Sequence, residues 1–152
     1  MRTLPDIEFV PAAVLRDATF HAAAEKLSEL GVEMVAVLDE NERVVGVFGS
    51  EELVRGLFPR YLGELHHTAF TTDDLAERVS RVDDVAREPV EKHMRKPVTV
   101  DVDTSTIHVA ERFLHCGFPA LAVVANDAFV GMLERATFCR AVMQRAASAP
   151  SP

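Results

Sequence analysis

The chain sets short apolar runs between polar breaks, and it does so twice. Met34–Leu38 and Val44–Phe48 are apolar runs joined by Asp39-Glu-Asn-Glu42. Ala120–Ala125 and Phe129–Leu133 flank Asn126-Asp127 in the same way. Paired runs of this kind predict two hairpins whose strands are mostly buried. Ahead of each hairpin the apolar spacing becomes helical. Ala23, Leu27 and Leu30 form the first stripe, and Ile107, Ala110, Phe113 and Leu114 the second. Asp17 with Thr19, and Asp103 with Ser105, supply side-chain oxygens for the free N–H groups of each first turn. Gly31 and Gly117 stand where each helix stops, since glycine takes the left-handed cap conformation without a Cβ clash. A short extended segment leads into each helix, Ala13 to Leu15 and Val98 to Val102. Pro11 and Pro97 bias the residue before each of them toward extended backbone. A second helix follows each hairpin, Glu51–Leu57 and Arg135–Arg145.

These two series are one unit repeated. A shift of 86 residues lays Pro11 on Pro97, Asp17 on Asp103, and Ala24-Glu-Lys-Leu-Ser-Glu-Leu-Gly31 on Ala110-Glu-Arg-Phe-Leu-His-Cys-Gly117. Val35-Ala-Val-Leu38 falls on Leu121-Ala-Val-Val124. After a one-residue deletion Val45-Gly46 falls on Val130-Gly131, and Arg55 on Arg140. The expected organisation is a first repeat over 8–57, a linker over 58–87, a second repeat over 88–146 and a disordered tail over 147–152. The linker carries its own predicted helix, capped by Thr72 and striped by Leu75, Val79, Val82 and Ala86. Glu88–Met94 reads as one helical turn leading into the second repeat.

Composition narrows the function. The 152 residues are 48% hydrophobic, enough for a sizeable core. Sixteen Lys and Arg against 24 Asp and Glu give a net charge of -8. That acidity argues against a nucleic-acid surface, which needs clustered cations, and against adhesion to an anionic membrane. No apolar run approaches a bilayer span, and the N-terminus lacks a signal pattern. Two cysteines make neither a disulfide framework nor a zinc pattern. A cytoplasmic protein is expected.

The second repeat opens Val90-Glu-Lys-His-Met-Arg-Lys-Pro-Val-Thr-Val-Asp-Val-Asp-Thr-Ser-Thr-Ile-His-Val-Ala-Glu111. This resembles the opening of a CBS domain, where an M-x-x-x-x-x-T-V strand precedes an acidic-capped helix. The hairpin glycines in Val44-Val-Gly-Val-Phe48 and Phe129-Val-Gly-Met-Leu133 fit the same pattern. The resemblance covers nearly the whole chain apart from linker and tail. It implies an α/β (α+β) fold, with two β-α-β-β-α repeats packed through their sheets as one pseudo-two-fold module, the arrangement called a Bateman module. It implies a homodimer. It implies clefts between the repeats that take AMP, ADP, ATP or S-adenosylmethionine as regulatory ligand, with no cofactor required and no chemistry performed.

Ligand-binding members of the family often read G-x-x-[ST]-x-x-D at the last strand and last helix. There the aspartate grips the ribose hydroxyls. Repeat one reads Gly46-Val-Phe-Gly49-Ser-Glu-Glu52, with Gly49 in the hydroxyl position, Ser50 beside it and Glu52 for the aspartate. Repeat two reads Gly131-Met-Leu-Glu134-Arg-Ala-Thr137. There Glu134 replaces the hydroxyl and Thr137 the aspartate, while Arg135 offsets part of the Glu134 charge. Ala36 and Ala122 stand where the family places a proline in the second strand. Thr99 and its counterpart Ala13 stand where strand backbone meets the adenine. Repeat one, around Glu52, is the better ligand candidate. The alternative is a ligand-free interaction module that docks on a partner enzyme or transporter.

Other candidates read as structure. His66-His67 lack a third ligand at metal spacing and read as solvated loop residues. His108 and His115 share a helix face, expected to be exposed. Cys116 and Cys139 read as core filling. Lys92, His93, Arg95 and Lys96 form a basic cluster, read as solvated surface rather than a phosphate contact. No nucleophile elbow, P-loop, dinucleotide fingerprint or metalloprotease motif is present, so an enzyme is not expected.

Overall fold

A computed structural model describes residues 7–58 and 82–148 of the chain. In the first repeat β1 (Ala13–Leu15), α1 (Phe20–Leu30), β2 (Met34–Leu38), β3 (Val44–Gly49) and α2 (Ser50–Leu57) follow in order. Residues 82–87 are helical (α3) and precede a 3₁₀ turn, Val90–Lys92. The second repeat runs β4 (Thr99–Asp101), α4 (Thr106–Cys116), β5 (Ala120–Ala125), β6 (Ala128–Glu134) and α5 (Arg135–Ser148). Each repeat is a three-stranded sheet, β1-β2-β3 or β4-β5-β6, with a parallel first pair and an antiparallel hairpin. The fold class expected from the repeated pattern is the one observed.

The local chemistry differs from expectation in detail. Thr19 and Ser105 are the N-caps, accepting from the N–H groups of Ala22 and His108. Asp17 and Asp103, two residues earlier, lie outside the helices. Gly31 (φ 62°) and Gly117 (φ 68°) adopt the left-handed caps. In the second hairpin Asn126 and Asp127 both take positive φ, the requirement of a two-residue turn that matches strand twist. The four-residue break of the first hairpin is closed by Asp39, whose carboxylate accepts from the N–H groups of Asn41 and Arg43. Both hairpins shift register at the same repeat position, Val37/Leu38 and Val123/Val124.

The buried stripe of α4 is Val109 and Phe113. Ile107 and Leu114 instead face solvent, and Leu114 is 83% exposed. Val109 and Phe113 are the repeat counterparts of buried Ala23 and Leu27, so one packing solution serves both halves. Cys116 is half-buried against the core, whereas Cys139 is exposed on α5, contrary to its reading as core filling. Helix α5 continues to Ser148, past the expected end at Arg145, since Ala146-Ala-Ser148 offers no breaker. His66, His67 and most of the predicted linker helix, from Thr72 to Ser80, lie outside the described residues.

The two sheets share one core. Val35, Val37 and Phe48 of the first repeat and Ala122 and Met132 of the second belong to a single buried cluster. A smaller cluster beneath α4 and α5 holds Val109, Phe113, Leu121 and Phe138. The repeats also exchange their lead segments. Val10 pairs with Met132 in β6 through hydrogen bonds of 2.9 and 2.7 Å, and Arg95 pairs with Val47 in β3 through bonds of 3.0 and 2.9 Å. Each sheet is thus extended by the strand-like start of the other repeat. The hairpin glycines make this exchange fit. A Cβ at Gly131 would stand 2.6 Å from Cβ of Phe9, and one at Gly46 would run into the Met94 side chain. Phe9 and Met94 occupy matching places ahead of their repeats, so each glycine admits its partner's lead residue.

Candidate functional site

The site is built where α2 starts. Strand β3 ends at Gly49, and α2 begins at Ser50. Gly49 is the N-cap, and Glu52 stands three residues on, where a carboxylate can reach back to the cap N–H. It does so: Gly49 N–H donates to Glu52 Oε2 at 2.8 Å. Among the described residues Glu52 is the only charged side chain that is buried, at 2% exposure. Its other oxygen, Oε1, pairs with Nε of Arg95, and both atoms are sealed from water. Arg95 comes from the lead segment of the second repeat, so this ion pair crosses the seam between repeats.

The guanidinium of Arg95 has further partners. Its Nη2 lies 3.1 Å from Glu51 Oε2, and its carbon lies 4.5 Å from the centre of the Phe118 ring. A cation over an aromatic face is held by the ring quadrupole as well as by charge. On the opposite flank the Ser50 hydroxyl donates to Glu33 Oε2 at 3.1 Å, and Ser50 N–H donates to the Glu33 carbonyl at 3.3 Å. The same carbonyl explains Gly49: a Cβ there would lie 2.6 Å from it. The backbone of Glu33 fills the space that a hydroxyl side chain would need.

The expected site residues fall into three groups. Gly49, Ser50 and Glu52 come together at the start of α2. Ala13 and Ala36 are cross-strand partners in the first sheet, and Thr99 and Ala122 are their counterparts in the second. Ala36 and Ala122 are wholly buried, so their side chains are core. Arg135 begins α5, and its N–H donates to the Pro119 carbonyl at 2.9 Å, as Ser50 does to Glu33. Thr137 lies half-buried in the first turn of α5. Thr99 lines a groove of about 310 Å³ between β4 and α4, with Asp101, Thr104, His108, Glu111 and Arg112. None of the other expected site residues lines that groove.

The basic cluster is a solvated patch only in part. His93 packs edge-on against Phe20, with ring centres 4.9 Å apart, and lies 3.2 Å from Glu88. Arg95 is built into the seam, while Lys92 and Lys96 are exposed. Glu33 and Phe118 adjoin this candidate site without having stood out in the sequence, and Arg95 stood out there only as part of a basic cluster. A signal was present in the comparison of repeats. Where repeat one has Glu52, repeat two has Thr137, and where Arg95 bridges Val47 in β3, Val10 makes the matching bridge to Met132 in β6. The two charges appear together in one seam and are missing together from the other.

The CBS domain family matches residues 8–58 and 82–144. The fold resembles the CBS-pair protein CBSX2 from Arabidopsis thaliana, at 25% identity and TM-score 0.72, over 97% of this chain and 99% of that one. It resembles CBSX2 in complex with AMP at 22% identity and TM-score 0.70, over 96% and 99% of the two chains. It also resembles the CBS domain protein PAE2072 from Pyrobaculum aerophilum complexed with AMP, at 18% identity and TM-score 0.68, over 98% and 100%. No curated protein matches the sequence.

Proposed function

The chain belongs to the CBS-domain family, and from that premise we propose that it is a regulatory module sensing an adenosine compound at the start of α2. In this reading Glu52 is the acceptor for the ribose hydroxyls, and the module performs no chemistry of its own. The observation that carries the reading is Glu52 itself. A carboxylate held buried at a seam between two repeats is costly to keep, because its desolvation must be offset by partners. Its helix position is the one at which ligand-binding members of the family place their aspartate. Two of the structural relatives hold AMP. Repeat two, with Thr137 in place of that carboxylate, is structural.

A thermal-shift series with AMP, ADP, ATP and S-adenosylmethionine tests the reading. A ligand at 100 times its dissociation constant adds about 2.7 kcal/mol of stability. At least one compound is expected to raise the melting temperature, and Glu52→Ala is expected to remove that shift. No shift with any of the four at millimolar concentration would contradict the reading.

A second reading, an interaction module, is favoured by one observation. Helices α4 and α5 leave Ile107, Leu114 and Met143 largely in solvent. In the dimer implied by the family these helices meet a second copy, and a partner enzyme or transporter is the alternative occupant. Among the described residues no helix is long and apolar enough to cross a membrane.

A further inference from the structure

A ligand that brings two hydroxyls to Glu52 finds the carboxylate already occupied. Oε2 is held by the Gly49 N–H, and Oε1 by Arg95. The first contact belongs to the helix cap and stays. The second is made by a long side chain from the other repeat. The main chain of Arg95 is fixed to β3 by both hydrogen bonds to Val47, so only its side chain is able to leave. A resting place exists for it. Glu51 Oε2 already lies 3.1 Å from Nη2, on a side chain that is 53% exposed and whose Oε1 accepts from Arg55, and Phe118 offers its ring face. The guanidinium is therefore able to give up Glu52 without giving up every partner.

We infer that Arg95 is a latch: its side chain occupies the ribose-acceptor carboxylate in the empty protein and moves onto Glu51 when a vicinal diol takes over Glu52. The inference rests on the reading of Glu52 as ribose acceptor. Binding then competes with an internal occupant, and the observed affinity is the intrinsic one reduced by the fraction of unlatched molecules. Arg95 sets the concentration at which the cleft responds. It also ties that response to the repeat seam, because the same residue carries the backbone bridge to Val47. Repeat two has no latch, since Thr137 stands where Glu52 would and Val10 makes the bridge that matches that of Arg95.

Adenosine is the suitable probe, because it carries the diol without a phosphate that Arg95 would itself attract. Calorimetric titration compares the wild type with R95Q and E51Q. R95Q keeps a neutral donor for Glu52 and is expected to bind adenosine about tenfold more tightly, since a charge-assisted bond is roughly twice as strong as a neutral one. E51Q removes the resting place and is expected to weaken adenosine binding. A residue that merely staples the repeats would give no such opposite pair of effects. Adenosine binding equal to or weaker than wild type in a folded R95Q overturns the latch, as does tighter binding by E51Q. If the wild type binds AMP while adenosine binding is not tightened by R95Q, only the latch falls. If no variant binds adenosine or AMP, the adenosine reading falls and takes the latch with it.

Discussion

Glu52 and Arg95 form a contact that neither would make alone. Glu52 is buried, and its partner Arg95 lies 43 positions further along the chain, in the lead segment of the other repeat, so the pair depends on the repeats being packed. Removing Arg95 strands a buried carboxylate. Arg95→Met is expected to lower unfolding stability by about 3 kcal/mol, the low end for a broken buried pair, because the Arg95 side chain keeps 28% of its surface in water. Urea denaturation checks this, and pairing the change with Glu52→Gln is expected to recover part of the loss. Gly49 yields a less obvious prediction. Restoring the family hydroxyl, as Gly49→Ser, pushes a Cβ against the Glu33 carbonyl and is expected to cost about 1–3 kcal/mol. Glu52 stood out in the sequence because the resemblance to the family places it at the aspartate position of G-x-x-[ST]-x-x-D. Arg95 did not stand out as its partner, because an ion pair between distant segments leaves no local periodicity. Asp39 adds a pH dependence. The N–H of Arg43 foremost, with that of Asn41, holds its carboxyl below the ordinary carboxylate value. A lowered value in the folded state means this contribution is whole above the ordinary range and fades as pH falls through the lowered value. Denaturation midpoints of wild type and Asp39→Ala are expected to differ at neutral pH and to converge in acid.

At the scale of elements, the hairpins and their turns followed from apolar runs and polar breaks. Their strands lie within a residue or two of where the pattern put them. Helix α4 was the weaker reading. Its residues offer two overlapping apolar stripes, and spacing selects Ala110 and Phe113 correctly but adds Ile107 and Leu114 in place of Val109. The repeat would have corrected this, since Val109 and Phe113 align with buried Ala23 and Leu27. The exchange of lead segments was hidden for a different reason. Single bridges such as Val10 with Met132 are too short to show as strands in an apolar pattern. Their trace in the sequence is the pair of hairpin glycines. Both glycines are expected to resist substitution, but unequally. Gly131→Ala meets Cβ of Phe9 and the Val10 carbonyl, which are close to the main chain, whereas Gly46→Ala meets the flexible Met94 side chain. Gly131→Ala is therefore expected to lose more stability, by about 1 kcal/mol or more, in paired urea melts.

For the whole molecule, one core runs through both repeats, so the halves are not expected to fold independently. Repetition of sequence made the architecture readable and the site only partly so. Alike residues build the alike cores, while the seam that holds Glu52 differs from its twin. Exposed Leu114 and Met143 motivate a dimer through α4 and α5. Light scattering is expected to return about twice the 16.7 kDa chain mass, and Leu114→Glu to shift it toward the single chain. The proposed function rests on ligand binding at Glu52. Its most direct test is calorimetric titration of wild type and Glu52→Ala with AMP and S-adenosylmethionine. Saturable binding by the wild type that Glu52→Ala abolishes is the expected result. Equal binding by both proteins, or none by either, would contradict it.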